Sequence, residues 1–183
     1  MSLIFKTAET YEEFVGILDL QQENHIKNLE SLDQGFVFAE HTVEDLWKMN
    51  SFAPHIIAKD DEHVAAYILA MTVDCKDDIE MLIPMFEEFD QLEYKGIPLS
   101  EYNYLVVGQV AVGKDYRGQG VFDYCYEVYR AVHGDNFDFA ITEISDQNYR
   151  SLAAHYRVGF RELSRYPNAD GDIWVIVVWD WME

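Results

Sequence analysis

The sequence predicts an α+β fold, a central sheet with helices on both faces, from three observations. Tyr104 to Val112 is almost wholly apolar, with Val106, Val107, Val110 and Val112 giving the β-branched bulk of a strand buried on both faces. Gly113, Gly118 and Gly120 interrupt it. Val121, Tyr124, Cys125, Val128 and Val132 then recur at helical spacing up to Gly134, placed for a left-handed cap. A second apolar run, Phe139 to Ile144, feeds another helical pattern, and two hairpin patterns flank these units.

The remaining elements follow in order. Leu3 to Thr7 reads as a strand. Thr10-Tyr11-Glu12-Glu13 is a capping box, and Phe14, Ile17, Leu18 and Leu20 follow at helical spacing, with helical character resuming near Gln21 and running to Leu29. Gly35 to Ala39 is a short apolar run, and Thr42 to Asp45 opens a helix carrying Leu46, Trp47 and Met49. His55 to Ala58 and Val64 to Val73 form a hairpin across Lys59-Asp60-Asp61-Glu62. Asp78 to Phe89 predicts an extra acidic helix, with Pro84 bending it or marking its first turn. Asp90 to Glu101 reads as a loop, and Phe160 to Tyr166 pairs with Asp172 to Trp181 across Pro167 to Gly171. No repeat or linker divides the chain, so 1–183 is expected to be one domain.

A strand entering a helix through glycines presents unpaired N–H groups to an anion. Two phosphate loops come close and fail. Gly108 to Lys114 has Walker A spacing, but Asp115 stands where a Ser or Thr must hold magnesium. Gly118-Gln119-Gly120 opens like a dinucleotide fingerprint, but Asp123 replaces its third glycine. Asp115-Tyr116-Arg117-Gly118-Gln119-Gly120 instead resembles the pyrophosphate loop of the GNAT acetyltransferase superfamily, Q/R-x-x-G-x-G/A, departing from it at Asp115 and, two places past the second glycine, at Phe122. Asn148 to Phe160 resembles the second signature of that superfamily, N-x-x-S/A-x-x-x-Y-x-x-x-G-F, with Tyr156 read as its tyrosine.

The resemblance implies a mostly antiparallel twisted sheet with one splayed parallel pair, and an N-acetyltransferase that uses acetyl-CoA. Backbone amides of Arg117, Gly118, Gln119, Gly120, Val121 and Phe122 would hold the coenzyme A pyrophosphate. Val110, Ala111 and Val112 would bond the pantetheine arm and the acetyl carbonyl, while Asn148 and Ser151 contact the donor from the opposite wall. Tyr156 would be the general acid and a further donor contact, and Glu143 the general base acting through water. His155 is expected to pack, and Gln109, polar among valines, to touch substrate or a neighbouring strand. A non-catalytic acyl-CoA-binding module on the same fold is the alternative, favoured by Asp115 and Phe122.

Composition limits the partners. The net charge is −21, yet Lys114 to Arg165 carries seven basic and eight acidic residues, so almost all of the excess lies elsewhere. A field of that sign repels nucleic acid and anionic membrane and gathers cations. The acidity serves solubility, or else steers a cationic acceptor to Asp78, Glu80, Glu87 and Glu88; in either case the acceptor is expected to be a small-molecule or peptide amine. The histidines lack metal-ligand spacing and no metal is expected. Cys75 and Cys125 read as reduced core thiols, no signal-peptide pattern opens the chain, and a cytoplasmic protein is expected. Trp174, Trp179 and Trp181 in the last hairpin suit either the core or a homodimer contact.

Overall fold

A computed structural model describes residues 3–61 and 63–182. Met1 and Ser2, read with the chain start, and Glu62, read in the first hairpin turn, lie outside the described residues.

A seven-stranded sheet runs in the order β1-β2-β3-β6-β7-β9-β8. Its strands are β1 (Ile4–Thr7), β2 (Ile56–Asp60), β3 (His63–Met71), β6 (Tyr104–Val112), β7 (Phe139–Ser145), β8 (Arg161–Pro167) and β9 (Ile173–Asp180). All neighbours are antiparallel except β6 and β7, which pair in parallel only over Tyr104–Val106 and Phe139–Ile141. Beyond Val106 the two strands part.

One face carries α1 (Tyr11–Asn24), α2 (Val43–Phe52) and α3 (Ile83–Phe89), packed through Phe14, Leu46, Met49, Met85, Phe86 and Phe89 onto Tyr67, Val106, Phe139 and Ile141. The other carries α4 (Val121–His133) and α5 (Tyr149–Val158), packed through Val121, Tyr126, Tyr129 and Leu152 onto Ile68, Leu105, Ala140 and Val177. Both long N-terminal helices start with reciprocal capping boxes, Thr10 with Glu13 and Thr42 with Asp45.

Several expectations are corrected. The first helix is continuous to Asn24, and only a single 3₁₀ turn, Ile26–Asn28, follows. The Gly35–Ala39 run, for which the sequence predicts no element, is tied down by a bridge between His25 and Val37. The acidic helix begins at Ile83, not Asp78, because Pro84 is tolerated only in a first turn. A two-stranded hairpin, β4 (Glu93–Tyr94) and β5 (Ile97–Pro98), replaces the expected loop, its turn made by Lys95 and Gly96 at positive φ. Gly134 ends α4 in right-handed geometry, since the chain continues in a turn closed by Asn136 N–H on the His133 carbonyl.

The final hairpin faces inward. Trp179 and Trp181 pack with Tyr126, Tyr129 and Phe160 in the second core, and Trp174 stacks edge-on against Phe38. Trp181 is buried, while Trp174 and Trp179 are half-buried.

Candidate active site

Two clefts meet where β6 and β7 separate. The first, about 500 Å³, lies over the turn between β6 and α4 and is bounded by Val110, Ala111, Val112, Arg117, Gly118 and Gly120. Gly118 and Gly120 adopt φ of 71° and 77°, a left-handed geometry that costs an L side chain about 1–2 kcal/mol. A Cβ at either would find no protein atom within 4 Å, so it would enter open space at the cleft floor. No side chain caps α4 at Gly120, which leaves its first N–H groups and its positive dipole end directed at the cleft.

The loop is held from behind. Gly113 N–H donates to the Ala65 carbonyl at 2.8 Å, and Tyr116 Oη donates to Asp60 at 2.8 Å. Arg117 Nη2 donates to Asn24 Oδ1 at 2.5 Å and its Nε to the Val112 carbonyl at 3.1 Å, linking the loop to the end of α1. Gln119 folds back onto the Asp115 carbonyl, so only its backbone is oriented for a ligand. Asp123 in the first turn of α4 does not confront an anion unopposed, because Arg157 grips it at 2.7–3.1 Å. Arg117, Arg150 and Arg157 line this cleft against Asp123 alone, giving it a cationic wall. Phe122 is a wall residue too, packed edge-on against His155.

The second cleft, about 540 Å³, opens between α3, the outer half of β7 and the β8–β9 turn. Phe36, Val37, Val110 and Ser151 border both clefts, so the two are continuous at the split in the sheet. The β3–β6 register skips Gly108, a bulge that bends β6 at this junction. Among the described residues lining the second cleft there is no lysine or arginine, while Glu87, Glu88, Glu143 and Asp170 all reach it. Asp78 and Glu80, expected here, do not line it: Asp78 is held by Lys48 at 2.6 Å, and Glu80 lies in the 3₁₀ turn before α3.

Glu143 is a half-buried carboxyl beyond the last β6–β7 pair. It accepts a hydrogen bond from Tyr166 Oη at 2.5 Å, while Arg150 donates to Gln34. Burial pushes the Glu143 carboxyl up to about 7; Tyr166 opposes the rise and the charge of Glu88 adds to it. Gln109 accepts from buried Tyr67 at 2.6 Å and donates to the Ala39 carbonyl at 2.8 Å, which ties the 35–40 segment over the junction. Asn148 helps by donating to the Phe36 carbonyl at 2.9 Å, and its buried Oδ1 has no partner. Asn148 borders only the second cleft, whereas Ser151 reaches both.

Tyr156 requires correction. Counted from Asn148, the tyrosine position of the second signature falls on His155, and Tyr156 is one residue later. Neighbours on a helix point about 100° apart. His155 therefore faces inward and lines the second cleft, while Tyr156 lines neither and sits 3.4 Å from exposed Glu162. His155 is fully engaged: Nδ1 lies 2.7 Å from the Ser151 carbonyl and must donate to it, so Nε2 accepts from Tyr126 Oη at 2.7 Å. Burial lowers its pKa to about 4, and the ring is neutral near pH 7. Tyr166 was the functional candidate missed in the sequence, where nothing links it to Glu143 23 residues away.

Searches against protein-family models and against curated proteins return no match. Solved structures do match. A chain of the NatC complex bound to Gag peptide and CoA superposes with a TM-score of 0.66 at 14% identity, covering 98% of this chain and 99% of that one. A GNAT-family acetyltransferase from Streptococcus agalactiae gives 0.65 at 15%, covering 97% and 95%. The yncA protein from Salmonella typhimurium, solved with its cofactor acetyl-CoA, gives 0.65 at 11%, covering 100% and 96%. The chain has the fold of the GNAT acetyltransferases.

Proposed function

We propose that this chain is an N-acetyltransferase that moves an acetyl group from acetyl-CoA directly to a cationic primary amine, working as one domain over residues 1–183 in the cytoplasm. The observation that carries this reading is the opposite charge of two continuous clefts: arginines and free helix amides face the first, and among the described residues lining the second the charged side chains are all carboxylates. The first fits a polyanionic donor; the open floor at Gly118 and Gly120 admits a phosphate against the backbone. The second fits a positively charged acceptor.

Acetyl-CoA supplies an activated thioester. The amides of Gly118, Gly120 and Val121 and the Arg117 and Arg150 side chains hold its phosphates. Val110, Ala111 and Val112, paired with β3 on one edge and unpaired on the edge that has left β7, give the backbone donors that orient the acyl arm and its carbonyl. Ser151 stands at the junction as a polar contact to either substrate. Glu143, a weak enough acid to exchange protons near neutrality, takes the proton that an ammonium must lose before it can attack; as the C–N bond forms the C–S bond breaks, and the departing thiolate takes up the second proton that the nitrogen sheds. Glu87, Glu88 and Asp170 hold the rest of the cationic acceptor.

Thiol release measured with alkyl diamines and polyamines, amino sugars, amino acids and peptide α-amines tests this. Cationic amines are expected to turn over fastest, with rates that fall as salt rises. Faster turnover of neutral or acidic amines, without salt dependence, refutes the acceptor reading. A non-catalytic acyl-CoA-binding module is favoured by one feature, the fully engaged His155 at the tyrosine position. Tight coenzyme A binding with no thiol release from any amine would establish that reading instead.

A further inference from the structure

We infer that Tyr166 is a positioning residue for Glu143: it reaches across β9 from β8 and fixes the carboxylate in the acceptor cleft. The inference rests on the reading of Glu143 as the proton acceptor.

The geometry supplies the argument. Glu143 lies on β7 past the point where β6 leaves it, so no neighbouring strand on that side holds its side chain. In cross-strand register Tyr166 stands opposite Trp174, which stands opposite Ser145, two residues beyond Glu143. Its hydroxyl therefore reaches Glu143 on the diagonal, and its ring packs against the core under α3. Rigid anchoring follows from the turn beyond it. Pro167 closes β8, and Asn168 N–H donates to the Asp172 carbonyl at 2.8 Å. Asn168 Oδ1 accepts from the Asp170 and Asp172 amides at 3.0 and 2.9 Å. A tyrosine on such a support restricts the glutamate to one rotamer, which a flexible partner could not do.

The groups facing Glu143 around the cleft are Glu87 and Glu88 from α3, Asp170 from the β8–β9 turn, neutral His155 from α5 and Tyr166 itself. Tyr166 is the neutral hydrogen-bond donor to the carboxylate in this set; the acids disfavour its charge. Removing that donor leaves burial and Glu88 unopposed, so Glu143 should hold its proton to higher pH.

The test compares wild type, Tyr166→Phe and Glu143→Gln by carboxyl ¹³C NMR titration of glutamate-labelled protein, with Glu143→Gln identifying the resonance. It adds the pH profile of kcat/KM with the best amine of the panel. Tyr166→Phe should move the Glu143 titration and the acid limb of the profile upward by about one pH unit. Coenzyme A affinity and melting temperature, which a merely structural role would disturb, should stay near wild type. An unmoved titration in Tyr166→Phe overturns the inference even if activity drops. Glu143→Gln with full activity and an unchanged acid limb overturns the base reading beneath it, and that outcome is separable because it does not depend on Tyr166.

Discussion

Replacing Gly120 with alanine separates backbone strain from ligand contact at the donor loop. Gly120 has φ of 77°, so the methyl group costs about 1–2 kcal/mol in the folded protein. For a chain of this size that lowers the melting temperature by about 2–4 °C per kcal/mol. The added Cβ meets no protein atom within 4 Å, so no clash enlarges the cost. That strain is present with or without coenzyme A and cancels from the affinity. Any loss of binding then reports a methyl group standing where the diphosphate must lie. Gly96 provides the control: its φ is 79°, its Cβ is equally free, and it sits in the β4–β5 turn outside both clefts. Calorimetric titration with coenzyme A should show Kd raised at least about tenfold for Gly120→Ala, roughly 1.4 kcal/mol, and unchanged for Gly96→Ala. Thermal melting should show similar losses for both. Equal coenzyme A affinity in the two variants would refute the placement of the donor on this loop.

Tyr156→Phe should change turnover by less than about twofold, since its hydroxyl lines neither cleft; a loss of the ten- to hundredfold order expected of a displaced general acid would put the phenol back at the reaction centre. His155→Phe leaves the Tyr126 hydroxyl buried without its acceptor and should cost about 1–3 kcal/mol in chemical denaturation, part of which the double variant with Tyr126→Phe restores. Arg157→Ala frees Asp123 in the first turn of α4 and should weaken coenzyme A binding, while Asp123→Asn in the same background recovers it; no recovery would show that Arg157 acts otherwise. For Glu143 the folded protein holds the proton more tightly than the unfolded chain. Its ionisation therefore erodes stability as pH rises from the ordinary 4.5 to about 7, and Glu143→Gln should flatten the stability profile across that window.

Much of this protein is fixed locally and can be read along the chain. The capping box at Thr10, the helix start at Thr42, the apolar strand at Tyr104–Val112 and the glycine turn before α4 are short-range consequences of side-chain chemistry, and each stands where the pattern places it. The charge excess outside 114–165 is likewise visible in composition. Tertiary structure alone decided where that charge goes: Glu87 and Glu88 turn into the acceptor cleft while Asp78 is taken by Lys48, 30 residues away. It also joined Glu143 to Tyr166 across three strands, whereas the standing of His155 instead of Tyr156 at the signature's tyrosine position can be counted along the chain. Periodicity reports which face of an element is apolar. Which polar side chains converge depends on register and on packing between distant segments, and those distances exist only once the sheet has formed.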